Sequence, residues 1–286
     1  MVLIKVILFS IIAFTFLTAA VVFNHKKHFE ASNINYDFKK MLELAGQGNA
    51  AAQNNIGSMY EAGEMVPQDY ELAFKWYQKA AESGSIVAQY NIGALYDYGK
   101  GVQRDLTQAL KWYHLAAERG SVLAQMNLGV HYDHGKDIPP KYERALYWYT
   151  KAAEQGDPKA QFNLAIMYEN GHGVKKDIKQ AAMWYKKAAE QGLVFAQYNL
   201  GLIYLLPNDT ETLNKDIPSK ANQNHYSLAA HWFSKAAEQG YGDAQYNLAS
   251  QYEQGLGVLK DTSKALYWYK KAAEQGVAEA QERLKV

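Results

Sequence analysis

The chain has 286 residues, and its 30 Lys+Arg against 29 Asp+Glu leave a formal charge of +1, which gives no basic field for nucleic acid. It contains no cysteine, and that excludes a disulfide framework, a thiolate metal site and a cysteine nucleophile. Length sets no domain count here, because the sequence repeats itself and each unit of such a chain packs only on its neighbours.

In chain order, the first feature is an uncharged, mostly apolar run from Val6 to Phe23. As a helix its 18 residues span about 27 Å, close to the hydrocarbon thickness of a bilayer. Residues 1–23 are therefore expected to be a signal peptide or a membrane anchor. Lys5 and the small residues Thr18-Ala19-Ala20 suit cleavage, whereas Val21-Val22-Phe23 carries the apolar run past that site. The basic cluster His25-Lys26-Lys27-His28 alone favours a cytoplasmic C-terminus. Large domains often translocate regardless of charge, so export is the expectation: the periplasmic face of the inner membrane if anchored, the periplasm or outside if cleaved. Residues 24–36 read as a linker and Tyr36 to Gly48 as half a repeat, in which Leu44-Ala45-Gly46-Gln47-Gly48 aligns with Ala116-Ala117-Glu118-Arg119-Gly120.

The repeat domain is expected over 37–286. Trp76, Trp112, Trp148 and Trp184 stand 36 residues apart, Trp232 follows 48 later and Trp268 another 36. Gln53, Gln89, Gln125, Gln161, Gln197, Gln245 and Gln281 keep the same count. A fixed period of this size marks stacked supersecondary units. The repeats fall at about 48–83, 84–119, 120–155, 156–191, 192–239 and 240–275, with a C-terminal cap at 276–286.

Each repeat reads as two helices, A and B. Ala88, Ile92, Leu95 and Tyr96 form one apolar stripe on an A helix; Ala73, Trp76, Tyr77 and Ala80 do so on a B helix. The tryptophans are expected between the two helices. Asp69, Asp105, Asp177 and Asp261 stand where an N-cap opens helix B, and Gly84 and its equivalents stand where a left-handed residue closes it. Gly57, Gly93, Gly129 and Gly201 alternate only with Ala165 and Ala249, so helices are expected to approach closely there. The third repeat departs from the pattern at Lys136-Asp137-Ile138-Pro139-Pro140-Lys141, which lacks the capping aspartate. The fifth carries an insertion, Pro207 to Asn224, whose composition predicts an exposed loop.

The motif shared by the repeats runs Ala-Gln-x-Asn-Leu-Gly, then Tyr-x-x-Gly-x-Gly-Val-x-x-Asp, then Trp-Tyr-x-Lys-Ala-Ala-Glu-Gln-Gly. The second repeat carries it at Ala88, Gln89, Asn91, Gly93, Tyr96, Gly99, Gly101, Val102 and Asp105. The sixth carries it at Ala244, Gln245, Asn247, Leu248, Tyr252, Gly255, Gly257, Val258 and Asp261. From about Leu44 to the C-terminus the chain resembles the Sel-one-like repeat family, a relative of the tetratricopeptide repeats. The resemblance implies an all-α superhelical solenoid of about six helix pairs with half-repeat caps, preceded here by the N-terminal hydrophobic helix. It also implies a protein-interaction scaffold. Some Cys-rich relatives have had a penicillin-hydrolysing activity attached to them, but no Ser-x-x-Lys occurs in this sequence.

Little in the repeats suggests chemistry. His131 and His134, with Asp133 between them, could offer two metal ligands on one face, but they fit a solvated surface better. Neither glycine-rich segment, Gly93 to Lys100 nor Gly129 to Lys136, has phosphate-loop spacing, and His-Glu-x-x-His is absent. No catalytic residue, metal or cofactor is assigned. The asparagine column Asn55, Asn91, Asn127, Asn163, Asn199 and Asn247 reads either as a carboxylate clamp or, better, as one structural hydrogen bond per repeat.

The candidate partner surface lies on the A helices, where helical rotation groups three residues of each repeat. It comprises Tyr90 and Asp97; Met126 and Asp133; Phe162, Ile166 and Glu169; Tyr198 and Leu202; and Tyr246 and Glu253. Stacked, these give an apolar-aromatic strip edged by carboxylates, broken at Leu205, and complementary to a ligand with apolar anchors and some Lys or Arg. The alternative is that the aromatics are core. The function expected is a scaffold at the bacterial envelope, or secreted, that binds a protein or peptide, with the membrane engaged through residues 6–23. A cell-envelope enzyme acting on peptidoglycan or β-lactams is the second reading.

Overall fold

The computed structural model describes residues 31–135, 139–205 and 220–285. The apolar run at 6–23 lies outside these residues; among the described ones, no helix is long and apolar enough to cross a membrane. The described residues form fourteen helices and no strand. They fall into two compact bodies, one ending at Ser85 and one beginning at Ile86.

The first body contains α1 (Ala31–Gly46), α2 (Ala50–Ala62) and α3 (Tyr70–Glu82). Helix α1 begins inside the segment read as a linker. In the second body the A helices are α4 (Ile86–Tyr98), α6 (Val122–His134), α8 (Pro158–Asn170), α10 (Val194–Leu205), α12 (Gly242–Gln254) and α14 (Ala278–Arg283). The B helices are α5 (Leu106–Glu118), α7 (Tyr142–Glu154), α9 (Ile178–Glu190), α11 (Lys220–Glu238) and α13 (Thr262–Glu274). Within each body every helix packs on its neighbours in the chain, as in a solenoid. Helix α11 already runs at residues 220–224, where the insertion was expected to be loop. No proline or glycine follows Pro218 there, so nothing in the sequence stops the helix from starting early.

Local chemistry sets the helix ends. The carboxylates of Asp69, Asp105, Asp177 and Asp261 accept from first-turn amides of their B helices at 2.9–3.1 Å. At the departing third repeat Lys141 makes no such bond, but its amide still donates to the Tyr132 carbonyl at 2.7 Å, as Asp105 does to Tyr96. The loop therefore closes through backbone even where its sequence changes. Gly120 closes α5 at φ +92°, a conformation costly for any residue with a Cβ.

Two further glycines mark close approach. A Cβ on Gly173 would lie 2.5 Å from the backbone of Tyr142, and one on Gly257 would lie 2.1 Å from that of Tyr226. Gly173 thus admits the start of α7, and Gly257 admits the second turn of α11. Met65 holds the corresponding place in the first repeat at φ 65°, with its side chain 42% exposed. Space there is open, but the left-handed backbone remains strained. Met65→Gly is expected to stabilise the first body by about 0.5–1 kcal/mol, a left-handed penalty partly offset by glycine's entropy in the unfolded chain. Chemical denaturation checks this.

The deepest column of the core is the residue after each tryptophan. Tyr77, Tyr113, Tyr149, Tyr185 and Phe233 are almost wholly buried. Trp148, Trp184 and Trp232 are buried as expected, while Trp76, Trp112 and Trp268 are half-exposed. The small-residue column explains why the residue after each tryptophan lies so deep. A Cβ on Gly129 would lie 2.4 Å from the Tyr149 ring, and Gly57, Gly93 and Gly201 face Tyr77, Tyr113 and Phe233 in the same way. Helix A is bare at that point so that the ring of helix B can lie flat on its backbone.

In the second body, buried glutamines tie α5, α7 and α9 to the A helix that follows each. Nε2 of Gln125, Gln161 and Gln197 donates to the carbonyl eight residues earlier, at 3.0–3.2 Å. Each Oε1 accepts from Gln155, Gln191 or Gln239 at 2.8–2.9 Å. In the second repeat Arg119 takes the place of that donor, and Oε1 of Gln89 is buried with no partner. Arg119→Gln is expected to stabilise the second body by at most about 1 kcal/mol if the new amide reaches Gln89, as its counterparts do in the third to fifth repeats. In the sixth, Oε1 of Gln245 lacks a partner although Gln275 stands in the donor's place. An unchanged denaturation midpoint would count against this.

Candidate functional site

The residues proposed as a partner strip divide, in the structure, into two groups with different duties. The carboxylates serve the tyrosine column. Tyr113 donates to Asp97 at 3.3 Å, Tyr149 to Asp133 at 3.5 Å, Tyr185 to Glu169 at 2.6 Å and Tyr269 to Glu253 at 2.8 Å. In the first body Tyr77 and Glu61 form the same pair at 2.7 Å. Burial, with the facing carboxylate second, holds the Tyr113, Tyr149 and Tyr185 hydroxyls well above the ordinary phenol pKa, so each remains a donor. The fifth repeat replaces both partners at once, with Leu205 for the carboxylate and Phe233 for the tyrosine. Removing donor and acceptor together leaves no unsatisfied group, which is why an apolar pair substitutes cleanly.

The rings also pack inward. Tyr90 lies 5.7 Å from Tyr113, Phe162 lies 5.5 Å from Tyr185, Tyr198 lies 5.9 Å from Phe233 and Tyr246 lies 5.5 Å from Tyr269, between ring centroids. All four, like Ile166 and Leu202, are half-buried, and Met126 is buried at 8% exposure. The asparagine column joins the same network where Asn199 donates Nδ2 to the Tyr185 hydroxyl at 3.2 Å, the structural bond expected of it.

His131 is not the solvated surface residue that its sequence context suggested. Its Nε2 meets Asp97 at 2.8 Å, its side chain is 18% exposed, and its ring lies 6.2 Å from that of Tyr113. It occupies a column that holds Leu95, Met167 and Ile203 in other repeats, so the core claims it and the carboxylate satisfies it. His134 is exposed, and the two histidines do not converge. Among the described residues no group of three or more His, Asp or Glu is placed to hold a metal ion.

The exposed part of the A-helix face lies one turn earlier than the strip read from the sequence. Val87, Leu123 and Phe195, the second residues of α4, α6 and α10, are 57%, 49% and 39% exposed. Phe195 lies 6.4 Å from Phe162 and 5.5 Å from Tyr241, and Tyr241 lies 4.9 Å from Tyr198. The result is an aromatic cluster spanning the starts of α8, α10 and α12, with one side open to solvent. Sequence reasoning missed these positions although they stand three residues before Tyr90, Met126 and Tyr198, on the same helical face.

A protein-family model, the Sel1 repeat, matches residues 50–85, 86–121, 122–157, 158–193, 194–241 and 242–277. The chain belongs to the Sel1 repeat family. The solved Sel1 repeat protein from Oxalobacter formigenes is 34% identical over 91% of this chain and 82% of its own, with a TM-score of 0.55. A protective antigen present in uropathogenic Escherichia coli strains, itself of this repeat fold, is 36% identical over 85% of this chain. The match covers 58% of that protein, with a TM-score of 0.49. No curated protein matches the chain. Sel1 repeat proteins are generally non-catalytic scaffolds that mediate protein–protein interactions. In this Sel1 array large apolar side chains remain open to such contacts at the A-helix starts and also on the B helices, at Leu115, Tyr147, Met183, Leu228, Leu266 and Tyr267. At the A-helix starts exposed and half-buried rings join in one cluster.

Proposed function

We propose that this protein is an interaction scaffold that holds a protein or peptide segment along the A-helix face of its second body. The observation that carries the reading is the aromatic cluster at Phe162, Phe195, Tyr198 and Tyr241, continued in register by Leu123 and Val87. Exposed apolar surface of this kind, built from rigid aromatics, favours association because a few such anchors supply most of the binding energy. Leu123→Ser with Phe195→Ser tests it. Both side chains are exposed, so the melting temperature should hold while capture of the native partner is lost. Unchanged capture by the double variant would place the interaction elsewhere.

The scaffold is further proposed to act at the cell envelope, delivered by residues 1–23. Support comes from the apolar run Val6–Phe23 and from nothing in the repeats. A reporter that functions only in the periplasm, fused after Val286, is expected to be active. Deleting Val6–Phe23 should leave the protein in the soluble cytoplasmic fraction. Activity only from a cytoplasmic reporter would reverse the orientation.

A further inference from the structure

The near-zero net charge of the chain conceals a separation between its two helix layers. In the second body the A helices carry seven Asp and Glu against two Lys and Arg, whereas the B helices carry eleven Lys and Arg against six Glu. The acidic layer is also the one with the open aromatic cluster. Its carboxylates are not spent by their tyrosines, because each hydrogen bond reaches a single oxygen: Oδ2 of Asp97 and Asp133, Oε2 of Glu169 and Glu253. The second oxygen of each takes none of these bonds.

Two of the four carboxylates already receive a partner from the next A helix. Arg283 of α14 donates to Glu253 at 2.9 Å, and the Tyr269 hydroxyl first and this guanidinium second hold that carboxyl below the usual range. His131 of α6 reaches Asp97 at 2.8 Å. Asp133 and Glu169, in the middle of the layer, form no ion pair among the described residues, although His134 and His172 lie near Asp133. Burial pushes the Asp133 carboxyl up, and His134, His172 and the Tyr149 hydroxyl offset this only in part. Arg283 shows within this chain what an incoming guanidinium would do at the two sites that lack one.

We infer that the segment held on the A-helix face is basic as well as apolar, presenting Lys or Arg to Asp133 and Glu169 beside apolar anchors on Leu123, Phe162 and Phe195. The inference rests on the scaffold reading above and adds the chemistry of the partner. Complementary charge of this kind fixes register and speeds encounter, and it excludes acidic competitors.

The test uses the full chain and two fluorescent peptides, one of Gly-Leu-Arg repeats and one of Gly-Leu-Glu repeats, followed by anisotropy. The arginine peptide is expected to bind about tenfold more tightly or better. Asp133→Asn with Glu169→Gln, which keeps an oxygen for each tyrosine, should remove that preference. Lys187→Gln with Lys271→Gln, on the B layer, should not. Equal or weaker binding of the arginine peptide overturns the inference. If the glutamate peptide binds instead and Phe195→Ser abolishes it, the basic partner is wrong and the A-helix surface stands. If the arginine peptide binds but neither the carboxylate variants nor Phe195→Ser weaken it, the A-helix surface itself is wrong.

Discussion

Tyr149→Ala is expected to cost the second body about 4 kcal/mol, in the range for deleting a large ring from a core. The side chain is fully buried, it lies on the bare backbone of Gly129, and its hydroxyl serves Asp133. Trp148→Ala should fall in the same range, about 3–5 kcal/mol. Lys75→Ala, on an exposed face, should stay within about 0.5 kcal/mol. Because repeats are coupled to their neighbours, the loss at Tyr149 should loosen adjacent repeats as well. Hydrogen exchange of α5 to α9 reads that spread.

A gentler pair of changes isolates the hydroxyl. Tyr149→Phe should cost about 1 kcal/mol, and adding Asp133→Leu should recover much of it, because the fifth repeat is built that way with Phe233 and Leu205. A double variant as unstable as the sum of the two single ones would mean that the bond carries no coupling.

The second large effect is steric. Gly129→Val is expected to destabilise by about 3 kcal/mol, the upper part of the usual range for overpacking. An added Cβ would sit 2.4 Å from the Tyr149 ring, with aromatic carbons and α7 behind it. Gly129→Ala should cost less, because Ala165 and Ala249 hold the same column and alanine favours a helix over glycine by about 1 kcal/mol. Urea midpoints of the two variants order them. Equal stability of Gly129→Val and the parent would refute the close approach of helix and ring.

Much of this architecture is legible in the sequence because it is repeated. The period of the tryptophans and glutamines places every helix pair, and the aspartates at the start of the B helices are caps in the structure as expected. The small residues at 57, 93, 129, 165, 201 and 249 announce a close contact, but the partner ring is not announced. Tryptophan draws attention as the largest side chain, and only the crossing of the helices decides that the residue after it lies deeper. From the sequence the carboxylate column reads as an outward edge, because Asp and Glu usually face water. A 16-residue spacing from acid to tyrosine was present in the chain, as was the joint loss of both at Leu205 and Phe233. His131 misled for the same reason. Its column is apolar in neighbouring repeats, and that register is better evidence of burial than the residue type.

The most direct measurement of whether the A-helix face holds the partner is site-specific photo-crosslinking in cells. A photoreactive amino acid is placed in turn at Leu123 and Phe195 on the A helices, and at Tyr147 and Tyr267 on the B helices, all exposed positions. The expected result is one common adduct from positions 123 and 195, absent from 147 and 267 and lost when an unlabelled partner segment competes. Adducts arising only from the B-helix positions would contradict the A-helix surface as the place where this protein meets its partner.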